Sequence, residues 1–202
     1  MSHMPALSEP TPEDAAAGPV SDRLLDAALV CFRKLGTART RIEDIAAEAG
    51  IARTAVYRHF QNKRAIVAAL AARWLAEDEA RLAAIARGPG QAIPQRLRAF
   101  LLADAQAARH HLADACRMAV LDEVARSISP VLLQHRANIR RHLAGLLAEG
   151  RIDRPEQAAQ ALDDLMDRFH DPRCSSGLDD TTWRARVDAA VALLLRGLQA
   201  SP

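Results

Sequence analysis

Apolar residues recur along this chain at three- and four-residue intervals almost throughout, and no β-branched run alternates with period two, so the pattern predicts helices and no strand. The first clear stripe is Leu24, Ala28, Cys31 and Leu35, with Leu25, Leu29 and Phe32 beside it. Ser21 is placed to cap this helix, Asp22 suits its positive end, and Gly36 ends it. Thr40-Arg41-Ile42-Glu43 has the form of a capping box, so a second helix is predicted from about Arg41; Gly50 keeps it short. A third covers roughly 52–59. Asn62 can cap a long fourth helix that reaches about Arg87 and stops at Gly88-Pro89-Gly90. Further helices are predicted at about 94–110 and 112–126. Ser129-Pro130 opens another, ended by Gly150. Pro155 opens one at about 155–169, a loop follows over 171–180, and the last helix runs from about Thr182 to Leu198. Residues 1–20 hold Pro5, Pro10, Pro12 and Pro19 among Ser, Glu and Ala, which predicts a disordered tail.

Composition sharpens this picture. Half of the 202 residues are hydrophobic but only 3% are aromatic, so Ala and Leu must fill the core. The net charge of +2 is unevenly spread: residues 21–64 carry nine Lys/Arg against five acids, a net +4, whereas 1–20 carry −3 and 65–202 only +1. A basic excess in one short segment suits a segment that meets phosphate. Cys31, Cys116 and Cys174 are widely spaced and fit a reducing compartment. The N-terminus lacks a signal pattern and no apolar run reaches membrane-span length, so a soluble, cytoplasmic protein is expected, with no membrane partner.

The basic segment has a recognisable mechanical plan. Counting from Ile42, the fifth residue is Ala46, small enough for two helices to cross. The ninth is Gly50, where a turn needs positive φ, and the fifteenth is Val56, which packs the second helix on the first. Ile45, Ala49 and Ile51 complete the small core. This order of constraints is that of a DNA-reading helix-turn-helix. The expected fold class is therefore all-α: an N-terminal three-helix helix-turn-helix domain over 21–64, then a larger helical domain over 65–202, about nine helices in all. Arg53 and Thr54 stand in the first turn of the reading helix, where Arg53 can grip guanine O6 and N7; Ala52 and Ala55 keep the surface low, and Ala55 can touch a thymine methyl. Tyr57, Arg58, His59 and Lys63 read as phosphate binders, joined by Thr40 and Arg41. Phe60 reads as core.

Ser21–Leu70 resembles the DNA-binding domain of the TetR family of transcriptional regulators. The resemblance rests on Leu25-Asp26-Ala27-Ala28, Phe32 and Gly36, then Thr40, Ile45-Ala46 and Ala49-Gly50-Ile51, and finally Val56-Tyr57-Arg58-His59-Phe60, Asn62-Lys63, Ala68 and Leu70. It covers about a quarter of the chain. It implies a helical ligand-binding and dimerisation domain from about residue 65, and a repressor released from a palindromic operator when a small-molecule effector moves the fourth helix. The expected partners are thus double-stranded operator DNA, a second copy of the chain, and an effector of unknown identity.

Within 65–202, candidate effector-pocket residues are Trp74, Phe100, Leu101, Asp104, His111, Met118, Leu121 and His135. The last two helices offer apolar faces for a four-helix dimer interface: Leu162, Leu165, Met166 and Phe169, then Val187, Val191, Leu194, Leu195 and Leu198. His110, His111, Asp114 and Cys116 cluster in sequence, but no Cys-x-x-Cys or His-x-x-x-His accompanies them, so neither metal nor cofactor is expected. No glycine-rich phosphate loop or Gly-x-Ser-x-Gly occurs, which points away from an enzyme. The rival reading is a nonspecific architectural DNA binder, which predicts a long basic face; the near-neutral 65–202 region argues against it.

Overall fold

A computed structural model describes residues 12–127, 129–171 and 177–199. Among these the chain forms nine α-helices and no strand: α1 (Pro12–Leu35), α2 (Ile42–Ala49), α3 (Arg53–His59), α4 (Lys63–Ala86), α5 (Ile93–Ala113), α6 (Ala115–Arg126), α7 (Pro130–Glu149), α8 (Pro155–Met166) and α9 (Asp180–Gln199), with a short 3-10 turn at Asp167–Phe169. None of these helices is long and apolar enough to cross a membrane. The chain divides into two compact units, one ending at Leu70 and one beginning at Ala71.

The first unit packs α1, α2 and α3 together. Leu24, Ala28 and Phe32 of α1, Ile45 and Ala46 of α2 and Val56 of α3 are buried, with Phe60 beyond α3 and Ile66 and Leu70 from the start of α4. One face of each helix is thus apolar, and burying it matters most for α2 and α3, since helices of seven or eight residues are marginal alone. The N-terminus differs from expectation. Residues 1–11 of the predicted tail lie outside the described residues, but Pro12–Val20 are the first turns of α1, and Ser21 lies inside the helix rather than at its cap. Pro12 at the first helical position costs nothing there, because its missing N–H would have no intrahelical partner.

The second unit builds its core between α5, α7, α8 and α9. Phe100 and Leu101 of α5, Leu143 and Leu147 of α7 and Trp183 and Val187 of α9 are all close to fully buried. The Ser129 cap is as read, accepting from the Val131 amide at 3.4 Å; Asp114, which the sequence offered only as part of a metal-candidate cluster, caps α6 by accepting from the Cys116 and Arg117 amides. The predicted loop at 171–180 falls partly on residues 172–176, outside the described set, and α9 starts at Asp180.

Candidate DNA-reading face and internal cavity

The α2–α3 connection is set by backbone chemistry. Gly50 takes φ +66°, its N–H donates to the Ala47 carbonyl at 3.1 Å, and the Ile51 N–H donates back to Ala46 at 3.0 Å. These paired bonds satisfy carbonyls that α2 leaves unpaired at its end. A Cβ added at Gly50 would meet nothing within 4 Å, so glycine is present for its handedness, not for space. At the other end of α2, the cap is Arg41 rather than Thr40. Asp44 Oδ2 accepts from the Arg41 amide at 2.8 Å.

On α3, Val56 faces inward and Arg53, Thr54, Tyr57 and Arg58 are exposed, with Ala52 exposed at the cap and Ala55 and His59 half-buried. Arg41 is exposed as well. Most of the expected reading residues are therefore open to solvent. Arg53 is not loose among them. Its Nη1 lies 2.9 Å from Glu43 Oε1 on α2, its Nη2 donates to the Tyr57 hydroxyl at 3.3 Å, and its guanidinium lies 5.6 Å from the Tyr57 ring centre. The Tyr57 hydroxyl and the Glu43 charge hold its pKa above the usual arginine value. Glu43 was seen in the sequence only as a capping residue. No local pattern links it to a residue ten positions on, across a turn.

Two expected phosphate contacts are corrected. Thr40 is buried; its hydroxyl is shared between the carbonyls of Gly36 (2.8 Å) and Cys31 (3.3 Å), and its amide donates to Gly36 (3.2 Å). It has no donor left for phosphate. Lys63 Nζ donates to the carbonyls of Thr37 (2.7 Å), Ala38 (3.2 Å) and Thr40 (3.1 Å), which occupies all three ammonium hydrogens. Both residues hold the α1–α2 connection instead. Asn62 does cap α4, accepting from the Ala65 amide at 2.9 Å.

In the second unit a cavity of about 800 Å³ opens among α4, α5, α6 and α7. Of the residues expected to line a pocket, Asp104, His111, Met118, Leu121 and His135 do so. Trp74, Phe100 and Leu101 do not: all three are buried packing residues, and Trp74 lies under the Arg117 guanidinium, 4.8 Å from its ring centre. The polar wall is built of close pairs that sequence spacing could not reveal. His111 Nε2 lies 2.6 Å from Asp78 Oδ2, and His170 Nε2 lies 3.0 Å from Asp104 Oδ2. Burial works against a charged His170, but the Asp104 hydrogen bond and charge outweigh it and, helped by Asp167, raise its pKa above the ordinary histidine value despite Arg136. Burial dominates at His135 and pushes its pKa down, against the pull of Asp104, Asp78 and Glu79. No group of three or more His, Cys, Asp or Glu among the described residues could hold a metal ion.

The expected dimer face is also redrawn. Leu162, Met166, Val187 and Val191 are buried in the unit's own core, because the most apolar stripes of α8 and α9 turn inward. Phe169, Leu194, Leu195 and Leu198 are half-buried against that core. Leu165 is 57% exposed, and so is Leu193 at 64%, which the sequence stripe had left out.

Comparison with known proteins agrees with this geometry. Residues 24–70 match the family model of the tetR family of bacterial regulatory proteins. Over 48 residues the chain is 48% identical to the HTH-type transcriptional regulator TtgR of Pseudomonas putida; that stretch is 24% of this chain and only 23% of the relative. Among solved structures, a TetR/AcrR-family transcriptional regulator from Thermobifida fusca superposes with a TM-score of 0.63 at 22% identity, covering 88% of this chain and 97% of the other. SmeT, the repressor of the Stenotrophomonas maltophilia multidrug efflux pump SmeDEF, does so with 0.61 at 24% identity, covering 89% and 88%. The curated relative matches in sequence over the head, while likeness of fold extends over nearly the whole chain.

Proposed function

We propose that this chain is a tetR-family regulatory protein and, on that premise, a homodimeric, sequence-specific DNA-binding repressor released from a palindromic operator by a small-molecule effector. The observation that carries the reading is the exposed face of α3, where Arg53, Thr54, Tyr57 and Arg58 stand clear of the protein on a helix fixed by the Gly50 turn. A helix of that size fits the major groove and can bring Arg53 to a guanine edge. Tyr57, Arg58, His59 and Arg41 supply phosphate contacts, which fix register without reading sequence.

One such head makes few contacts, so pairing across a two-fold site is the natural way to gain affinity. The surface suited to it is the outer face of α8 and α9: Ala161 and Leu165 on one, Ala185, Ala189 and Leu193 on the other, all exposed. Small residues let helices approach, and the two leucines supply apolar area. The cavity of the second unit is the effector site, with an apolar wall facing a polar one of Asp, His and Arg side chains. The test is a gel shift at fixed salt with a palindrome from the DNA upstream of the gene and with a scrambled duplex. A specific reader binds the palindrome about a thousandfold or more tighter. Equal affinity for both would overturn the reading.

A further inference from the structure

We infer that the second unit carries an anion site, separate from the cavity, that takes a small molecule bearing phosphate or carboxylate groups. It is a recess of about 730 Å³ formed by the end of α4, the α4–α5 connection, Arg96 of α5 and the last turns of α7. Its charges are unbalanced after every pairing is counted. Arg87, Arg96 and Arg141 line it against one carboxylate, Glu149. That carboxylate is taken, since Arg96 Nη1 donates to Glu149 Oε1 at 2.6 Å. Among the described residues the guanidinium groups of Arg87 and Arg141 have no ion pair or hydrogen bond, and both residues are exposed. His142, also in the wall, lies 3.8 Å from Glu79, which is not part of it. Two guanidinium charges therefore face the recess without a counter-charge.

Two further observations set this recess apart from an ordinary solvated basic surface. Arg96 is 7% exposed, and its Nε is buried with no hydrogen-bond partner; its other two nitrogens serve Glu149 and the Ala86 carbonyl. A buried guanidinium needs a close and well-shielded counter-charge, whereas the Glu149 side chain is 54% exposed, so this third cation is only partly compensated. An anion in the recess adds negative charge beside it. Gly145 is the second observation. It lies inside α7, where glycine weakens a helix relative to alanine. A Cβ there would meet nothing within 4 Å, so packing does not require the glycine. It lines the recess, and the room it leaves is room for a ligand. Guanidinium groups grip phosphate and carboxylate alike through paired hydrogen bonds.

Isothermal titration of the full chain at pH 7.5 and constant ionic strength with pyrophosphate, citrate and spermidine tests the assignment. At least one of the two anions is expected to bind, and the polycation is not. The tighter anion tells which group the site prefers: phosphate if it is pyrophosphate, carboxylate if it is citrate. Arg141→Gln should weaken that anion at least about tenfold, through the loss of charge-assisted hydrogen bonds. Helicity should be unchanged, because the Arg141 guanidinium has no partner in the fold. Gly145→Glu is the independent variant. It raises helix propensity and sets a carboxylate in the recess, so the melting temperature should hold or rise while anion binding is lost. Anion binding that survives either variant belongs to another basic surface, such as that of the head, and overturns the proposal. So does failure of both anions to bind, or spermidine binding as tightly as they do.

Discussion

Arg53, proposed above as the base-reading residue, is held in place before any target arrives. Its guanidinium spans Glu43 and the Tyr57 hydroxyl, so part of the side-chain entropy that binding would cost is already lost. The contact with Glu43 is exposed and screened by solvent, so it adds little to stability and a guanine can displace it. Arg53→Ala is expected to relax preference at one operator position by about 1–3 kcal/mol, measured as the spread of affinities over operators substituted at each position; a uniform loss at all positions would make Arg53 a phosphate contact. Lys63 behaves differently. With three carbonyls as partners, Lys63→Met should cost the protein about 1.5–3 kcal/mol, the range for hydrogen bonds to a charged group, read by denaturant unfolding. Unchanged stability with weaker binding to all DNA would return it to the phosphate role its place beside Asn62 suggested. His170 is the third residue with a measurable signature. Its raised pKa means that its pairing with Asp104 stabilises the fold fully below about pH 6.5, its ordinary value. That contribution is lost as pH rises through the higher folded value. Its imidazole protons should therefore titrate late by NMR, and His170→Gln should flatten this part of the dependence of Tm on pH. The residue scale is also where sequence was least informative. Thr40, Glu43 and Lys63 were all noticed, but each was assigned a local or DNA-facing role; the partners of Glu43 and Lys63 lie ten to twenty-six positions away, and Thr40 bonds the carbonyls of Gly36 and Cys31 at the end of α1.

Elements were far more legible. The period of apolar positions fixed the number and order of the helices, and Gly36, Asn62, Ser129-Pro130 and Gly150 marked ends to within a residue or two. The failure was at α1, where prolines suggested a tail; Pro12 is tolerated at a helix start, and the helix carries on past Gly18-Pro19. The α2–α3 turn is the element whose chemistry was read most completely, since a small residue at Ala46 and a left-handed one at Gly50 follow directly from the crossing and the turn. Gly50→Ala should destabilise the head by about 1–2 kcal/mol, the cost of a left-handed residue with a Cβ, by chemical denaturation; a neutral result would mean that the turn relaxes to negative φ. Helix faces were harder than helix spans. The stripes of α8 and α9 were found, but apolarity alone does not say whether a stripe meets the chain's own core or a second chain. Here the strongest stripes went inward and left Leu165 and Leu193 outside.

At the scale of the molecule, the two compact units carry different kinds of information. The basic excess of the head and its helix order were visible in the sequence, because groove geometry and phosphate impose the same demands on any such head. The cavity was visible only in part, since its polar wall is assembled from residues on four helices and the turn after α8, whose spacing in sequence carries no common period. Association belongs to this scale too. Leu193→Asp places a charge on an exposed position of α9 without disturbing the core, and should convert a dimer to monomers in analytical ultracentrifugation while helicity is unchanged. A variant that still sediments as a dimer would move the interface elsewhere.

The empty space around Gly50 has one further consequence. What that position demands is a chirality, not a size. In a head prepared by chemical synthesis, D-alanine at 50 would sit in its own preferred region of backbone space. It would restrict the unfolded chain and should stabilise the head by about 0.4–1 kcal/mol, where its mirror image, the ordinary amino acid, does the opposite.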